Sequence, residues 1–239
     1  GIAAAATNNG EGMAGACPQC EVLVVKVLDE EGTASESVVI DGLDYASYWG
    51  ERNGKRTIIN LSLGAPDYDL ALHQAIELAQ ERGALIIAAA GNDGAGAAGY
   101  PAAFDGVLAV SATDESDLPA SYSQYGDMAA PGTLIWSTVP RGYFGYAPPY
   151  GSNSGTSMAT PLVSGVAGLV WTLNPDWSAQ QVAQRLLDTV DLPSGWDARY
   201  GVGRLNANRA AQMPTASPTP SRTPTLTSTP WPSSTPSAT

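Results

Sequence analysis

The stretch GTSMATP at residues 155–161 places a serine, Ser157, where a loop turns into an apolar helix. Small residues on both sides leave its hydroxyl open to a substrate, and the apolar run Leu162–Leu173 predicts a buried helix. The first amides of such a helix have no partner within it, so its positive end favours the negative charge that develops when a serine attacks a carbonyl. The pattern favours a nucleophile over a serine that only caps a helix.

A second stretch indicates the same kind of site. Ala84–Ala90 is a short apolar run followed by Gly91 and Asn92, which predicts a buried parallel strand with a polar amide just past its carboxyl end. Ligand sites in open parallel sheets lie at that end of the strands. Thr57–Gly64 predicts another strand that ends in glycine.

In these motifs and in their order, the chain resembles the subtilisin-like serine proteases, the subtilase or peptidase S8 family, from Gly1 to about Gln212. The resemblance implies an α/β fold of three layers, a parallel sheet with helices on both faces. It implies that Ser157 is the catalytic nucleophile and that Asn92 is the side-chain donor of the oxyanion hole, together with the Ser157 amide. The expected reaction is peptide-bond hydrolysis through an acyl-enzyme, with protein or peptide substrates and no cofactor required for the chemistry.

The same resemblance assigns the substrate-binding residues. One strand end matches the edge to which an extended substrate adds as a further strand through backbone hydrogen bonds. Other residues match the walls of the pocket that receives the side chain before the cut, and none of them is charged, which implies an apolar and fairly broad specificity. The edge residues are Ser62, Leu63 and Gly64, and the wall residues are Ala89, Ala90, Gly91 and Gly99.

A nucleophilic serine needs a base that takes its proton, and that base needs a carboxylate to orient it. The only histidine, His73, lies on a polar stripe with Asp69, Glu77 and Glu81 at four-residue spacing, which predicts a solvated surface histidine. No aspartate of the chain matches the context of the family's catalytic aspartate. Two of the three triad positions are therefore expected to lie outside this sequence.

The beginning of the chain favours a partial sequence. Residue 1 is glycine, and Gly1–Ala6 resembles the end of the helix that carries the family's catalytic histidine. We therefore expect residues 1–212 to form two-thirds or more of a catalytic domain that lacks its N-terminal part. Such a chain alone should be nearly inactive, because loss of the histidine in this type of enzyme lowers turnover by about a millionfold.

Two alternative functions remain open at this point. One is a pseudoprotease or peptide-binding module that keeps the groove without catalysis. The other is the serine-carboxyl peptidase family, which shares a serine in a Gly-Thr-Ser context but uses acidic partners and an aspartate in the oxyanion hole. Asn92 disfavours this second alternative.

Strands and helices are expected to alternate, which is typical of a parallel sheet covered on both faces. The expected strands are Glu21–Leu28, Thr57–Leu63, Ala84–Ala90 and Val107–Ala112. The expected helices are Ser35–Arg52, Asp69–Arg82, Ser157–Leu173 and Ser178–Val190. A loop region rich in Gly, Pro and Tyr is expected to run from the last strand through Tyr150.

Composition excludes some partners and predicts a tail. The net charge is −12 and the sequence pI about 4.3, so nucleic acid is not an expected partner. No apolar run is long enough for a predicted membrane span. Residues 213–239 are expected to form an extended linker or stalk, since Pro214–Thr239 holds 7 Pro and 14 Ser or Thr among its 26 residues. Such tails join secreted or cell-surface enzymes to cell-wall or anchoring modules.

Two short motifs at the start of the chain complete the predictions. Cys17 and Cys20 form a C-x-x-C, for which a local disulfide in an oxidising compartment is the preferred interpretation and free thiols the alternative. One histidine and two cysteines do not make a zinc site of four soft ligands. Asn8 and Asn9 resemble a region that binds calcium in many subtilases, so a structural calcium ion is one expectation and a simple turn the other.

Overall fold

The computed structural model describes residues 1–140 and 149–212, which form an α/β fold. Its main sheet is parallel, with the strand order β1-β2-β3-β4, and a separate antiparallel pair is formed by β5 and β6. The strands are β1 Ile58–Leu61, β2 Leu85–Ala89, β3 Leu108–Thr113, β4 Met128–Pro131, β5 Ile135–Thr138 and β6 Tyr150–Asn153. The helices are α1 Glu36–Arg52, α2 Leu70–Glu81, α3 Thr156–Leu173, α4 Ala179–Asp188 and α5 Ala207–Ala211.

Alternate residues of the central strands enter two separate cores, one on each face of the sheet. Leu85 and Ile87 of β2 pack with α3 and α4, whereas Ile86 and Ala88 pack with α1 and α2. Because both faces are covered, β2 and β3 are buried along their whole length, which is why their sequences are continuous apolar runs. The prediction of a parallel sheet with helices on both faces is confirmed.

Two helix starts follow the rules of side-chain capping. The carboxylate of Asp69 accepts a hydrogen bond from the amide of Leu72 at 2.6 Å, at the start of α2. At the start of α4, Ser178 and Gln181 bond each other's backbone amides reciprocally, in a capping box. Each of these bonds satisfies an amide that the helix itself leaves without a partner, so the two helices begin where the sequence predicts.

The predicted strand Glu21–Leu28 is wrong. This segment belongs to neither sheet, and Val22 and Val24 are 65% and 81% exposed. A strand is defined by its hydrogen bonds to a neighbouring strand. Between this segment and β1 there is instead an apolar groove of about 590 Å³. The groove is lined by Val25 and Val27 on one side, Ile59 and Leu61 of β1 on the other, and both helical layers.

The predicted loop region through Tyr150 is also wrong in part, because it contains β4, β5 and the start of β6. Residues 141–148 of that region lie outside the described residues. β4 has the sequence Met-Ala-Ala-Pro, without the β-branched or aromatic residues that signal a strand, yet it pairs with β3 and Met128–Ala130 are fully buried. Tertiary packing here overrides a weak local propensity.

Helix α3 is the long core helix of the fold. By length and composition alone it could span a membrane, but 61% of it is buried inside the protein, where it packs on all four strands of the main sheet. A buried core helix passes the same test as a membrane helix, so this feature is explained by the fold. The predicted linker at residues 213–239 lies outside the described residues.

Candidate active site

Three chain segments meet at the carboxyl edge of the main sheet. β1 leads into Ser62–Gly64 and β2 leads into Gly91 and Asn92, and the two strands are paired directly, with Leu61 opposite Ala88. The first turn of α3, which carries Ser157, is hydrogen-bonded to the residues that follow both strands. The sheet therefore brings the predicted nucleophile, oxyanion donor and substrate edge together although they are distant in sequence.

Ser157 is tied to the end of β1 by a reciprocal pair of hydrogen bonds. Its hydroxyl donates to the backbone carbonyl of Ser62 at 3.3 Å, and the hydroxyl of Ser62 donates to the carbonyl of Ser157 at 3.0 Å. The helix begins after Gly155, which has a φ of 152° and leaves the helix start open. Ser157 is half-buried, in the first turn of α3, where the backbone amides point out of the helix.

Asn92 is oriented by the residue before the nucleophile. Its Oδ1 accepts from the backbone amide of Thr156 at 2.9 Å and from the Thr156 hydroxyl at 3.1 Å. The same hydroxyl accepts from the amide of Gly91 at 3.2 Å. Because Oδ1 faces Thr156, the Nδ2 group of Asn92 is the part of the amide that remains to donate to a ligand. Thr156 is fully buried, so this orientation is held rigidly.

Two sets of backbone bonds join the walls of the predicted substrate pocket. Ala65 and Tyr100 exchange a pair of hydrogen bonds, each 2.8 Å long, and the amide of Gly99 donates to the carbonyl of Ala90 at 2.9 Å. Gly64 and Gly99 allow this close approach, since a Cβ at either would lie 3.0 Å from a backbone oxygen. The pocket-wall residues predicted from sequence thus lie together, and all of them are small.

A sequence profile described as the subtilase family of peptidase S8 matches residues 1–203, which is most of the chain. The chain belongs to the subtilase family.

Several named proteases are similar to this subtilase over most of its length. It is 41% identical over 215 residues to thermitase of Thermoactinomyces vulgaris, a match that covers 89% of this chain and 72% of thermitase. It is 42% identical to subtilisin Savinase of Lederbergia lenta, with 87% of this chain and 74% of that protein covered. With M-protease of Shouchella clausii the identity is 43%, but the chain spans about half of that protein, 52%.

Solved structures agree with the subtilase fold. A protease of Pseudoalteromonas arctica superposes with a TM-score of 0.78 at 32% identity, covering 88% of this chain and 68% of the other. The prenylagaramide maturation protease PagA superposes with a TM-score of 0.71 at 35% identity, covering 83% and 75% of the two chains. The three-layer subtilisin-like architecture predicted from the motifs is thereby confirmed.

The prediction for His73 of this subtilase needs correction. Its ring stacks on Phe104, with centroids 4.5 Å apart and planes 3° from parallel, and its Nδ1 lies 2.9 Å from the hydroxyl of Tyr68. The His73 side chain is 25% exposed, so it is half-buried against the aromatic rings of Tyr68 and Phe104 rather than solvated. The stacking partner Phe104 comes from a segment distant in sequence, which the periodicity of α2 alone could not reveal. None of these contacts involves Ser157.

Sequence reasoning missed two residues around the subtilase site. Thr156 stands in the motif around the nucleophile without a predicted role of its own, yet it holds Asn92. Gln124 lies in the predicted loop region, and both its backbone and its side chain bond the loop that carries Asn92. The position of Thr156 beside Ser157 was a usable signal, whereas nothing in the local sequence around Gln124 indicates its contacts.

The two motifs at the start of the chain have different outcomes. Cys17 and Cys20 form a disulfide that packs against Gly168 of α3. In the loop of Asn8 and Asn9, the Asn9 side chain already accepts a hydrogen bond from the amide of Glu11 at 3.1 Å. Within residues 1–140 and 149–212, no group of three acidic, His or Cys side chains is arranged to hold a metal ion. The calcium expected at Asn8 and Asn9 would be bound by amide side-chain and backbone oxygens, so the structural calcium and the simple turn both stay predictions.

Proposed function

We propose that this subtilase is a serine endopeptidase that forms an acyl-enzyme at Ser157. The observation that carries the proposal is the orientation of Asn92, whose Oδ1 is occupied by two donors from Thr156. A side-chain amide fixed in this way, next to the open amides of a helix start, is a preorganised pair of donors for an oxyanion.

In the proposed reaction, Ser157 Oγ attacks the carbonyl carbon of the scissile bond and loses its proton to a general base. The oxygen of the tetrahedral intermediate accepts hydrogen bonds from the Ser157 amide and from Asn92 Nδ2. The C–N bond then breaks, the amine leaves with the proton, and an ester on Ser157 remains until water hydrolyses it. Asn92 acts mainly on the transition state, since negative charge on the oxygen develops only there.

We propose that the general base is supplied by residues that are not among these 239. His73 on α2 supports this assignment, because its ring stacks on Phe104 and its Nδ1 lies within hydrogen-bond distance of the Tyr68 hydroxyl. The open groove between Val22–Val27 and β1 supports it further, since an additional strand there would end at the same edge of the sheet as Ser62. The 239 residues alone are then expected to turn over substrate about a millionfold more slowly than the complete enzyme.

The proposed substrates are extended polypeptides. Ser62–Gly64 would add the substrate as a strand, and the small pocket walls Ala89–Gly91 and Gly99 favour an apolar side chain before the cut. A secreted or cell-surface protein agrees with the Cys17–Cys20 disulfide, since disulfides persist in oxidising compartments. The segment 213–239 would then serve as a linker to a cell-wall or anchoring module.

A pseudoprotease that binds peptides in the same groove is the second candidate, because the substrate edge and the pocket walls would serve binding without a base for Ser157, and the engagement of His73 with Phe104 agrees with both candidates. A serine-carboxyl peptidase is disfavoured, because the oxyanion position holds an amide rather than an acid.

Labelling with a fluorophosphonate separates the two candidates. In the full protein that carries this chain, we expect stoichiometric labelling at Ser157 and none in Ser157→Ala. His73→Ala is the matched control and should label at the native rate, because His73 is not the base. Absence of labelling in the full protein favours the pseudoprotease, and loss of labelling in His73→Ala would contradict the assignment of the base.

A further inference from the structure

The loop that carries Asn92 is held by a second segment, residues 122–125. The amide of Gln124 donates to the carbonyl of Gly91 at 3.0 Å, the amide of Gly94 donates to the carbonyl of Tyr122 at 2.8 Å, and the amide of Tyr125 donates to the carbonyl of Gly96 at 2.8 Å. These three backbone bonds fasten the loop along its length. The bond to Gly91 fixes the peptide unit before Asn92, but none of the three reaches the peptide unit after it.

The side chain of Gln124 adds two bonds, one of which reaches the peptide unit after Asn92. Its Oε1 accepts from the amide of Asp93, immediately after Asn92, at 3.4 Å, and its Nε2 donates to the carbonyl of Ala97 at the far end of the loop. Together with the backbone bond to Gly91, Gln124 contacts the residue before Asn92 and the residue after it. Asn92 is therefore bracketed by bonds to a single residue.

The same side chain also fills the space beside Gly91. Gly91 has a φ of +119°, which residues with a Cβ rarely adopt, and a Cβ built there would lie 1.9 Å from Oε1 of Gln124. The Gln124 amide group thus occupies the space that glycine leaves open. A side chain at 91 and the glutamine at 124 could not coexist without a shift of the loop.

Gln124 is itself anchored in the sheet. Its carbonyl accepts from the hydroxyls of Ser111 and Ser123, each at 2.9 Å, and both serines are fully buried. Ser111 belongs to β3, the direct neighbour of β2, whose end leads into Gly91. Gln124 thus acts as a clamp that joins the Asn92 loop to β3, a strand that is buried along its whole length.

We propose that Gln124 is a positioning residue that sets the direction of the Asn92 oxyanion donor. Thr156 holds Asn92 from the side of the nucleophile, and Gln124 holds it from the opposite side through the peptide units of Gly91 and Asp93. The inference rests on the proposed function in one respect, the role of Asn92 as a donor. The chemical reason is that a donor stabilises an oxyanion only within a narrow range of distance and direction.

The test compares Gln124→Met with Gln74→Met in the full protein that carries this chain. Methionine keeps the length of the side chain but removes both hydrogen bonds, and Gln74 is an exposed residue on α2. We expect Gln124→Met to lower kcat about tenfold and to change KM less than twofold, since small displacements of a catalytic group act on the transition state. A native kcat in Gln124→Met would overturn the proposal.

Gln124→Glu provides a second kinetic readout. The glutamate keeps an acceptor for the Asp93 amide, but when ionised it repels the Ala97 carbonyl instead of donating to it. Its kcat relative to the native protein should therefore rise as the pH falls through the pKa of the new carboxyl, because the protonated acid can donate again. A merely structural role would move the melting temperature without this pH-dependent recovery of kcat.

The side-chain amide signals of Asn92 in a ¹⁵N NMR spectrum test the clamp without relying on activity. They are assigned by their loss in Asn92→Ala, and we expect them to shift in Gln124→Met but not in Gln74→Met. If fluorophosphonate fails to label Ser157, the proposed function is wrong. The NMR signals still show in that case whether Gln124 positions Asn92. Unchanged Asn92 signals in Gln124→Met would overturn the positioning role in either case.

Discussion

The hydroxyl of Thr156 donates to Oδ1 of Asn92 at 3.1 Å and at the same time accepts from the Gly91 amide at 3.2 Å. One buried hydroxyl thus links the residue before the nucleophile to two consecutive residues after β2. The hydroxyl donates one hydrogen bond and accepts one within the site, so we expect its removal to disturb the position of Asn92.

Thr156→Val tests that linkage. Valine has the same shape but lacks the hydroxyl, so we expect kcat to fall about tenfold with little change in KM, because Asn92 is held by one donor instead of two. Steady-state kinetics on the full protein measures this effect. Thr172→Val is the control, since Thr172 lies on the same helix and its hydroxyl bonds only the Gly168 carbonyl four residues back. Equal kcat values for the two variants would contradict the prediction.

Asn92→Ala should lower kcat by about 100- to 1000-fold, the range known for removal of one oxyanion donor in a subtilisin. KM should change far less, because the donor acts on the transition state. Fluorophosphonate labelling of Ser157 should persist at a reduced rate, which shows that the nucleophile is intact. A native kcat in Asn92→Ala would show that Asn92 has no role in the mechanism.

Gly168→Ala should destabilise the protein through the disulfide. A Cβ at Gly168 would lie 2.6 Å from the Sγ of Cys20, and overpacking of this kind costs about 1–3 kcal/mol, more than the helix propensity gained by alanine. Thermal unfolding measures the difference from the native protein. In the Cys17→Ser, Cys20→Ser background the penalty should shrink, because an unlinked side chain can rotate away. An equal loss of stability in both backgrounds would show that the added Cβ does not clash with the disulfide.

Asp191 makes the stability of the C-terminal segment dependent on pH. Hydrogen bonds from Asn206, Arg209 and Arg204 lower the pKa of the Asp191 carboxyl below its usual value. A lowered folded pKa gives stability that is fully present above the unfolded pKa of about 3.9 and is lost as the pH falls through the folded value.

Asp191→Asn should therefore lower the melting temperature at pH 7, and its difference from the native protein should vanish in strong acid. Asp176→Asn, at an exposed position between α3 and α4, is the control and should show little difference at any pH. A difference for Asp191→Asn that stays constant down to pH 2 would refute the electrostatic explanation.

The sequence predicted the main helices and β1 to β3 because their signals are local. Asp69 and Ser178 mark helix starts, and continuous apolar runs mark strands that are buried on both faces. The stretch around Ser157 and the end of β2 were also recognisable, since small residues beside one polar side chain are unusual.

What failed depends on distant partners. Glu21–Leu28 has the composition of a strand, but hydrogen bonds to a neighbour are part of what makes a strand, and a single segment cannot reveal their absence. The stacking of His73 on Phe104 and the bonds of Gln124 to the Asn92 loop arise from packing between segments that lie about 30 residues apart in sequence. Local patterns carry no information about them.

The apolar groove beside β1 also sets the conditions for handling these 239 residues in the laboratory. Val22, Leu23 and Val24 form a continuous apolar surface that is exposed to water. The unpaired edge of β1 next to it can pair with a second copy of the chain. Expression of this stretch by itself should yield insoluble or self-associating material, so that sedimentation and refolding yield, rather than activity, become the first quality criteria for any sample.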